Sequence, residues 1–420
     1  MNKKYLRWAF LSACVGGIAG LASTLFLYGM NWVWRFQMSH HEIIFFLPLA
    51  AVLITLVYQK YARDFSDGGA LVFEEIHEPK KVLPVRIAPL VFLGTLLSHF
   101  VGASPGREGT AVQVSASLTD QLSKIFNIEN AERKILLVAG SGAGFGTAVG
   151  APWAGIIFGM EMIYIGRLQI FAPVECFIAS FVAFAVSVFL KAPHDLYPRL
   201  SIGEVHAMDF LWVVVAGAVF GLTARAFVKT RHFVGESIKK MKLKSVWLNF
   251  IGGTILCILF YEEASYHYCS LGIKEIQNSL QTQVSFLFPL FKFVSTILSL
   301  SSGFKGGEFV PLVFIGSHLG SALSQWLPVS SSLLASVGFS AVFAGAANVP
   351  ITCTVLSIEI FGWSIAPYAC LACLMSYYFS GGGSIYHGQK KSSHHKLSPW
   401  LEVLFYVRKS ILKILKKRGS

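Results

Sequence analysis

Two stretches of this chain repeat one another in the order of their residues. Gly106-Arg107-Glu108-Gly109-Thr110 opens the first, and Gly306-Gly307-Glu308-Phe309-Val310-Pro311 opens the second. Downstream, Ala151-Pro152 precedes Glu161, and Val349-Pro350 precedes Glu359 at the same spacing. Each copy therefore runs glycine, acid, small-residue stretch, proline, apolar run, acid. Internal symmetry of this kind, with Gly/Pro-interrupted apolar segments in matching positions, points to a two-repeat transporter whose substrate site lies between the repeats.

Composition decides the solvent. Of 420 residues, 54% are hydrophobic and 14% charged, whereas a soluble domain carries about a quarter charged residues. Apolar runs recur from Trp8 to Trp34 through to Leu333 to Phe379. Several approach the roughly 20 residues that span hydrocarbon, and others are short or broken by Gly and Pro. Broken backbone at membrane depth is tolerated only where it is buried in protein or lines a polar cavity. The expected fold class is an all-α polytopic membrane protein. One transport domain is expected over residues 1–389, with repeats at about 60–228 and 246–386 divided by the basic stretch Lys229 to Ser245. The first run, Met1 to Trp34, lacks a cleavage site and reads as a retained helix. Arg63 to Arg86, with Asp67-Gly68-Gly69 and Glu74-Glu75, reads as a turn leading into a short helix that stops before Pro79.

The net charge of +13 raises nucleic acid as a partner, and the positions of the charges argue against it. They lie at the ends and in a few connecting stretches, not in a compact basic module. That distribution follows the positive-inside rule and predicts a multi-pass protein of the plasma (inner) membrane with both termini cytoplasmic. Residues 390–420 alternate Trp, Leu, Phe and Ile with Lys and Arg, the pattern of a basic amphipathic tail on an anionic leaflet. The seven cysteines are odd in number and scattered, which is no disulfide framework. Cys370 and Cys373 form a CxxC inside an apolar run, without a second pair or nearby His, and read as packing residues. No metal or cofactor is expected.

Glu108 is the leading candidate for chemistry. It follows Ala103-Ser104-Pro105-Gly106-Arg107, which cannot remain a smooth helix, and precedes residues that can start one. Such a start aims free backbone N–H groups and a positive dipole end at whatever lies in front. A carboxylate that competes there with an anion, and leaves when protonated, couples anion movement to proton movement. The alternative is a loop Glu paired with Arg107. Glu308 recurs at the corresponding motif and raises a similar choice, an intramembrane functional acid or a Glu that caps its own helix or pairs with Lys305. Glu161 and Glu359 are open to two roles, proton relay or acceptor for neighbouring backbone. Tyr386 follows Gly381-Gly382-Gly383-Ser384-Ile385 and offers either a neutral O–H donor to an anion or an interfacial belt residue. A hydrolase would need a Ser–His pair or metal-binding His residues. Ser141 with His318 or His99 fits poorly, no HExxH occurs, and the repeated acids would go unexplained. The chain is therefore not expected to be an enzyme.

These residues resemble the CLC family of anion channels and anion/proton antiporters. The resemblance extends from about Asp67 to Tyr386. It rests on Gly106-Arg107-Glu108-Gly109, on Gly140-Ser141-Gly142-Ala143-Gly144 leading to Ala151-Pro152-Trp153-Ala154-Gly155, on Gly306 to Pro311, and on Tyr386. It implies a CLC-type inverted-repeat helical bundle with broken helices, a homodimer with one pore per subunit. Glu108 would gate, Tyr386 would coordinate the anion, and Phe309 and Val310 would offer backbone N–H groups. Gly69, Gly106, Arg107 and Gly109 complete the expected anion site, with Glu308 beside Glu108 for proton coupling.

Four departures narrow the branch. Thr110 stands where most members have Pro, and Glu308 where chloride-type members are apolar. Met162 stands where chloride exchangers place an inner proton glutamate. Asp67-Gly68-Gly69-Ala70 replaces a Ser-containing chloride motif, with Gly69 at the lost Ser. Together they are similar to the fluoride/proton antiporter branch, and they imply export of fluoride in exchange for protons. That branch carries Met or Asn at the Gly69 position and Thr at the Val310 position, so selectivity rests on the other features. The alternative is a chloride channel or chloride/proton exchanger.

Overall fold

The computed structural model describes residues 3–62, 68–199 and 207–391. Asp67 and most of the expected amphipathic tail, 392–420, lie outside the described residues. Helices α1 (Lys3–Ser39), α2 (Leu47–Tyr61), α3 (Gly68–His77), α4 (Ile87–Phe100), α5 (Glu108–Asp120), α6 (Leu122–Ile125), α7 (Asn130–Val149), α8 (Pro152–Glu161) and α9 (Pro173–Phe189) form one half. Helices α10 (Ala207–Lys240), α11 (Ser245–Glu263), α12 (Ile273–Ser279), α13 (Leu287–Ser301), α14 (Phe309–Leu323), α15 (Ser331–Ala347), α16 (Pro350–Phe361) and α17 (Ala366–Phe379) form the other. Strands β1 (Tyr164–Ile165) and β2 (Lys390–Lys391) pair in parallel and tie the segment after α17 to the connection that follows α8.

Among the described residues, the segments long and apolar enough to cross a membrane are Lys3–Ser39, His41–Tyr61, Ala207–Lys240 and Ser245–Glu263. Two such spans open each half, and helices that are shorter or less apolar follow. The boundary between halves therefore falls between α9 and α10. The division at 60–228 and 246–386 is corrected accordingly: Lys229 to Lys240 is no connecting loop but the last turns of α10. Lys, Arg and Glu are good helix formers, so a basic stretch prolongs the helix out of the apolar run.

Local chemistry makes the same breaks in both halves. α7 ends on Gly150 and α15 on Asn348, both left-handed, with φ 81° and 58°; these are residue types that accept that conformation at a helix end. Proline then starts α8 and α16, where its missing N–H costs no helical bond. The two halves exchange hydrogen bonds reciprocally. Ser98 Oγ accepts from Lys305 N at 2.9 Å, and Ser299 Oγ accepts from Ser104 N at 3.0 Å. Gly106 N donates to Gly307 O at 2.6 Å, and Gly307 N donates to Gly106 O at 2.7 Å, as an antiparallel bridge. Ser98 thus corresponds to Ser299, Ser104 to Lys305 and Gly106 to Gly307, at one constant offset.

Glu161 and Glu359 follow the same rule. Glu161, at the end of α8, accepts from Ile351 N (2.9 Å), Thr352 N (2.7 Å) and Thr352 Oγ1 (2.7 Å) at the start of α16. Glu359, near the end of α16, accepts from Trp153 N (3.0 Å) and Ala154 N (2.8 Å) at the start of α8. Each helix end meets the other's beginning, so α8 and α16 run antiparallel and the halves are inverted relative to one another. Of the two roles open to these acids, both act here as caps on free helix N–H groups.

Removing either carboxylate strands those donors, and a hydrogen bond to a charged group contributes roughly 1.5–3 kcal/mol. Glu161→Ala is expected to lower the melting temperature in detergent more than Glu359→Ala, because Glu161 is buried and makes three bonds while Glu359 is half-buried and makes two. The caps sit at opposite ends of a helix about 15 Å long, so the double variant should lose the sum of the two within about 0.5 kcal/mol.

Candidate functional site

The Gly106–Gly307 bridge brings the starts of α5 and α14 together. A Cβ on Gly307 would lie 2.7 Å from Gly109 N, and one on Gly106 would lie 2.9 Å from Pro311 Cδ. Only bare backbone fits at this crossing. The bridge also sets the register between the motifs. Arg107 caps α5 and Glu308 caps α14 with nearly the same backbone, φ −115° and −114°. Glu308 therefore corresponds to Arg107, and Glu108 to Phe309. The apparent match of Glu108 with Glu308 is corrected by one residue: the acid recurs in the motif, but the bridge, not the letter, sets the register.

Beside the crossing lies a cavity of about 560 Å³. Glu108, Gly109, Glu308, Phe309, Tyr386 and Gly69 all line it, so helix starts from both halves, α3 and the segment after α17 converge there. Phe73, Phe145 and Phe158 form its apolar wall. Phe145 stacks on Phe158 with centroids 4.1 Å apart and meets Phe309 edge-on at 5.4 Å, while Tyr386 packs against Phe73 at 5.3 Å. Met162 also faces the cavity, an apolar side chain directly after the capping acid Glu161.

Glu108 is 2% exposed. Its Oε2 accepts from Arg107 N at 3.2 Å and its Oε1 from Arg107 Nε at 3.3 Å. Arg107 Nη2 in turn donates to Asp195 Oδ2, between α9 and α10. The pairing with Arg107 and the position at the cavity thus coexist: the carboxylate folds back on its neighbour while facing open space. Glu308 pairs with Arg231 of α10, Nε to Oε1 at 3.6 Å, whereas the Lys305 ammonium lies 4.1 Å above the Tyr58 ring. About twenty residues span the hydrocarbon, so the 34-residue α10 carries Arg231, His232, Glu236 and Lys239 to the cavity.

Three expected anion ligands stand elsewhere. The Gly106 N–H is taken by Gly307, so it is no donor to an anion. Arg107 turns to Glu108 and Asp195, and Val310 is buried behind Phe309; neither lines the cavity. Sequence reasoning missed Asp195 and Arg231, whose partners lie far along the chain. The one available signal for Arg231 was a cation in an apolar helix that outruns the bilayer.

The voltage gated chloride channel family matches residues 49–381. A "Chloride/fluoride channel protein" of Pseudomonas syringae pv. tomato is 39% identical over 401 residues, covering 94% of this chain and 89% of the relative. A solved structure of a CLC-type fluoride/proton antiporter superposes with a TM-score of 0.89 at 30% identity, covering 93% of this chain and 100% of that one. A slow cyanobacterial Cl−/H+ antiporter shares the fold with a TM-score of 0.80 at 22% identity, covering 90% and 96%.

The tightness of the crossing yields a controlled test. Overpacking costs about 1–3 kcal/mol, so Gly307→Ala should lower the melting temperature. Gly17→Ala, in α1, meets nothing within 4 Å and should leave it unchanged or raise it, since Ala favours a helix over Gly by up to about 1 kcal/mol.

Proposed function

The chain belongs to the voltage gated chloride channel family, and from that premise we propose that it is a secondary active transporter exchanging fluoride for protons across the membrane. The observation that carries this reading is the gathering of Glu108, Glu308 and Tyr386 at one cavity between the starts of α5 and α14. Fluoride is small and strongly hydrated, so its site must replace water with good donors. The first-turn N–H groups of α5 and α14, among them those of Gly109 and Phe309 at the cavity, have no partner within their helices and carry the positive dipole end. The Tyr386 hydroxyl adds a neutral donor. Deprotonated, Glu108 occupies the place of the anion; protonated, it donates to the anion or withdraws with its proton. Glu308 is the second carboxylate on this path, held by Arg231 when Glu108 is elsewhere.

A chloride/proton exchanger is the second reading, and Met162 at the cavity wall speaks against it, since no inner carboxylate follows Glu161 there. The Pseudomonas relative is called a chloride/fluoride channel protein, and the solved structure that superposes at 0.89 is a fluoride/proton antiporter; both support fluoride. We assign the chain to the plasma membrane with both termini cytoplasmic, on the basic residues at its ends. We also assign it a homodimeric state with one pathway per subunit. Exposed Trp153 and Phe177 on α8 and α9, and Trp363 between α16 and α17, are apolar surface that a second subunit would cover in place of lipid. The transport domain is assigned to residues 1–389.

Proteoliposomes read with fluoride and chloride electrodes and a pH electrode test the proposal. Fluoride efflux should drive protons in the opposite direction with little chloride movement. Glu108→Gln should abolish the proton movement; intact coupled exchange in that variant would remove Glu108 from the mechanism. Comparable chloride flux would instead establish a general halide transporter.

A further inference from the structure

A second compartment lies on the outer side of the wall that bounds the cavity. Between α2 and α4 runs a groove of about 410 Å³, floored by the buried Ile54 and Gly94 and rimmed by the exposed Leu53 and Leu93. Its mouth is at Tyr61, the last residue of α2, and Arg86, just ahead of α4; its far end is at Leu53 and Leu97. At 1.5 Å per residue, the α4 side from Arg86 to Leu97 is about 16 Å long, half of a hydrocarbon core roughly 30 Å thick. The groove is therefore one leaflet deep. Its volume of about 410 Å³ over about 16 Å leaves a cross-section of about 25 Å², room for one extended chain and not for a helix 10–12 Å across.

Charge at the mouth says what kind of chain. Arg86 is exposed and lines the groove, and the Lys60 ammonium lies 5.1 Å over the Tyr61 ring. A guanidinium has five N–H donors, so Arg86 can hold a phosphate beside a protein partner. With the N-terminus cytoplasmic and α1 and α2 both long enough to cross, the end of α2 returns to the cytoplasmic side. That leaflet carries anionic lipids, which attract Lys and Arg at its surface. The inner wall of the groove leads to the site. Tyr58 lines both the groove and the cavity, and the Lys305 ammonium lies 4.1 Å above its ring. A Cβ on Gly94 would lie 3.2 Å from Lys305 Cγ and 3.4 Å from Tyr58 Cε2, so the bare backbone of α4 lets the Lys305 stem and the Tyr58 ring fill the wall together. Lys305 immediately precedes Gly306 and Gly307 of the crossing.

We propose that the groove binds an anionic phospholipid of the cytoplasmic leaflet, one acyl chain lying between α2 and α4 and the phosphate held at Arg86 and Lys60, and that this lipid sets the rate of transport through Tyr58. A chain in the groove braces the outer face of the Tyr58 ring, and the ring keeps the Lys305 ammonium in place by cation–π attraction. An empty groove gives the ring room to swing outward, and the charge beside the crossing then loses its support. The effect on rate rests on the transporter reading above; the binding site does not.

The test reconstitutes the full chain in phosphatidylcholine, with or without phosphatidylglycerol, and adds traces of either lipid carrying a photoactivatable acyl chain. The phosphatidylglycerol probe should label residues 53–61 and 86–97, and the phosphatidylcholine probe should label them at least fivefold less. Arg86→Gln should cut phosphatidylglycerol labelling about fivefold, the factor that corresponds to about 1 kcal/mol per cation, and Arg86→Lys should keep most of it. Leu93→Trp fills the groove from its exposed rim and should block labelling by both probes; Arg86→Gln keeps the site falsifiable if that variant fails to fold. Equal labelling by the two probes, or labelling that neither variant reduces, would overturn the site. Fluoride efflux should be at least threefold faster with phosphatidylglycerol, and Leu93→Trp, which braces Tyr58 permanently, should erase the difference. Equal efflux from wild-type protein in the two lipids would overturn the link through Tyr58. If neither preparation moves halide, the transporter reading falls by itself, and the labelling still decides the site.

Discussion

Two backbone hydrogen bonds between Gly106 and Gly307 hold this molecule in its working arrangement. They draw together the starts of α5 and α14, which belong to different halves and would otherwise expose their first-turn N–H groups to hydrocarbon. Water is absent at that depth, so those groups need partners from protein or from a polar occupant. The bridge takes the N–H groups just ahead of the two helices and leaves the first turns beside a cavity. The same two bonds exclude any side chain at the crossing, and they set the register that turns Glu108 toward open space while Arg107 turns toward Asp195.

Reciprocity extends outward from that point. Ser98 and Ser299 each catch the loop of the opposite half, and Glu161 and Glu359 each cap the opposite half's helix. Such contacts commit both halves to one relative position. Asymmetry is then confined to side chains. At that constant offset Val91, Gln113 and Glu308, which line the cavity, correspond to Lys292, Phe314 and Arg107, which are buried. One backbone plan thus yields a wide compartment on one side of the crossing and a packed one on the other.

Much of this was legible in the sequence, and what was not has a common cause. The breaks at Gly106, Gly306, Pro152 and Pro350 are local chemistry, written in residues that end or start helices wherever they occur. The convergence of Glu108, Glu308 and Tyr386 followed from the motifs and the family resemblance. Partnerships between distant residues were hidden. The role of Glu161 stayed open because its partners are 190 and 191 positions away, and nothing near Arg107 announces Asp195. The one-residue error in pairing Glu108 with Glu308 has the same origin, since the register is set by a bond between halves. The basic end of α10 differs in origin: a run of Lys and Arg reads as a connecting loop, yet those residues extend a helix readily once it leaves the bilayer. The paired Gly16 and Gly20 of α1, which lie against Ala179 and Ala183, and Gly217 and Gly221 of α10, which lie against Ala372 and Ser376, are a further repeated signal within reach of the sequence.

The exchanged caps also bear on how the chain is made. Synthesis runs from the N-terminus, so α8 enters the bilayer with the N–H groups of Trp153 and Ala154 bare, and their acceptor, Glu359, lies 205 to 206 residues downstream. Contacts of such long range form late and slow folding. The first half therefore waits in the membrane with an unsatisfied helix end until nearly the last span has been inserted, and during that interval it depends on lipid headgroups, on the insertion machinery or on neighbouring chains for the partner that its own C-terminal half will provide.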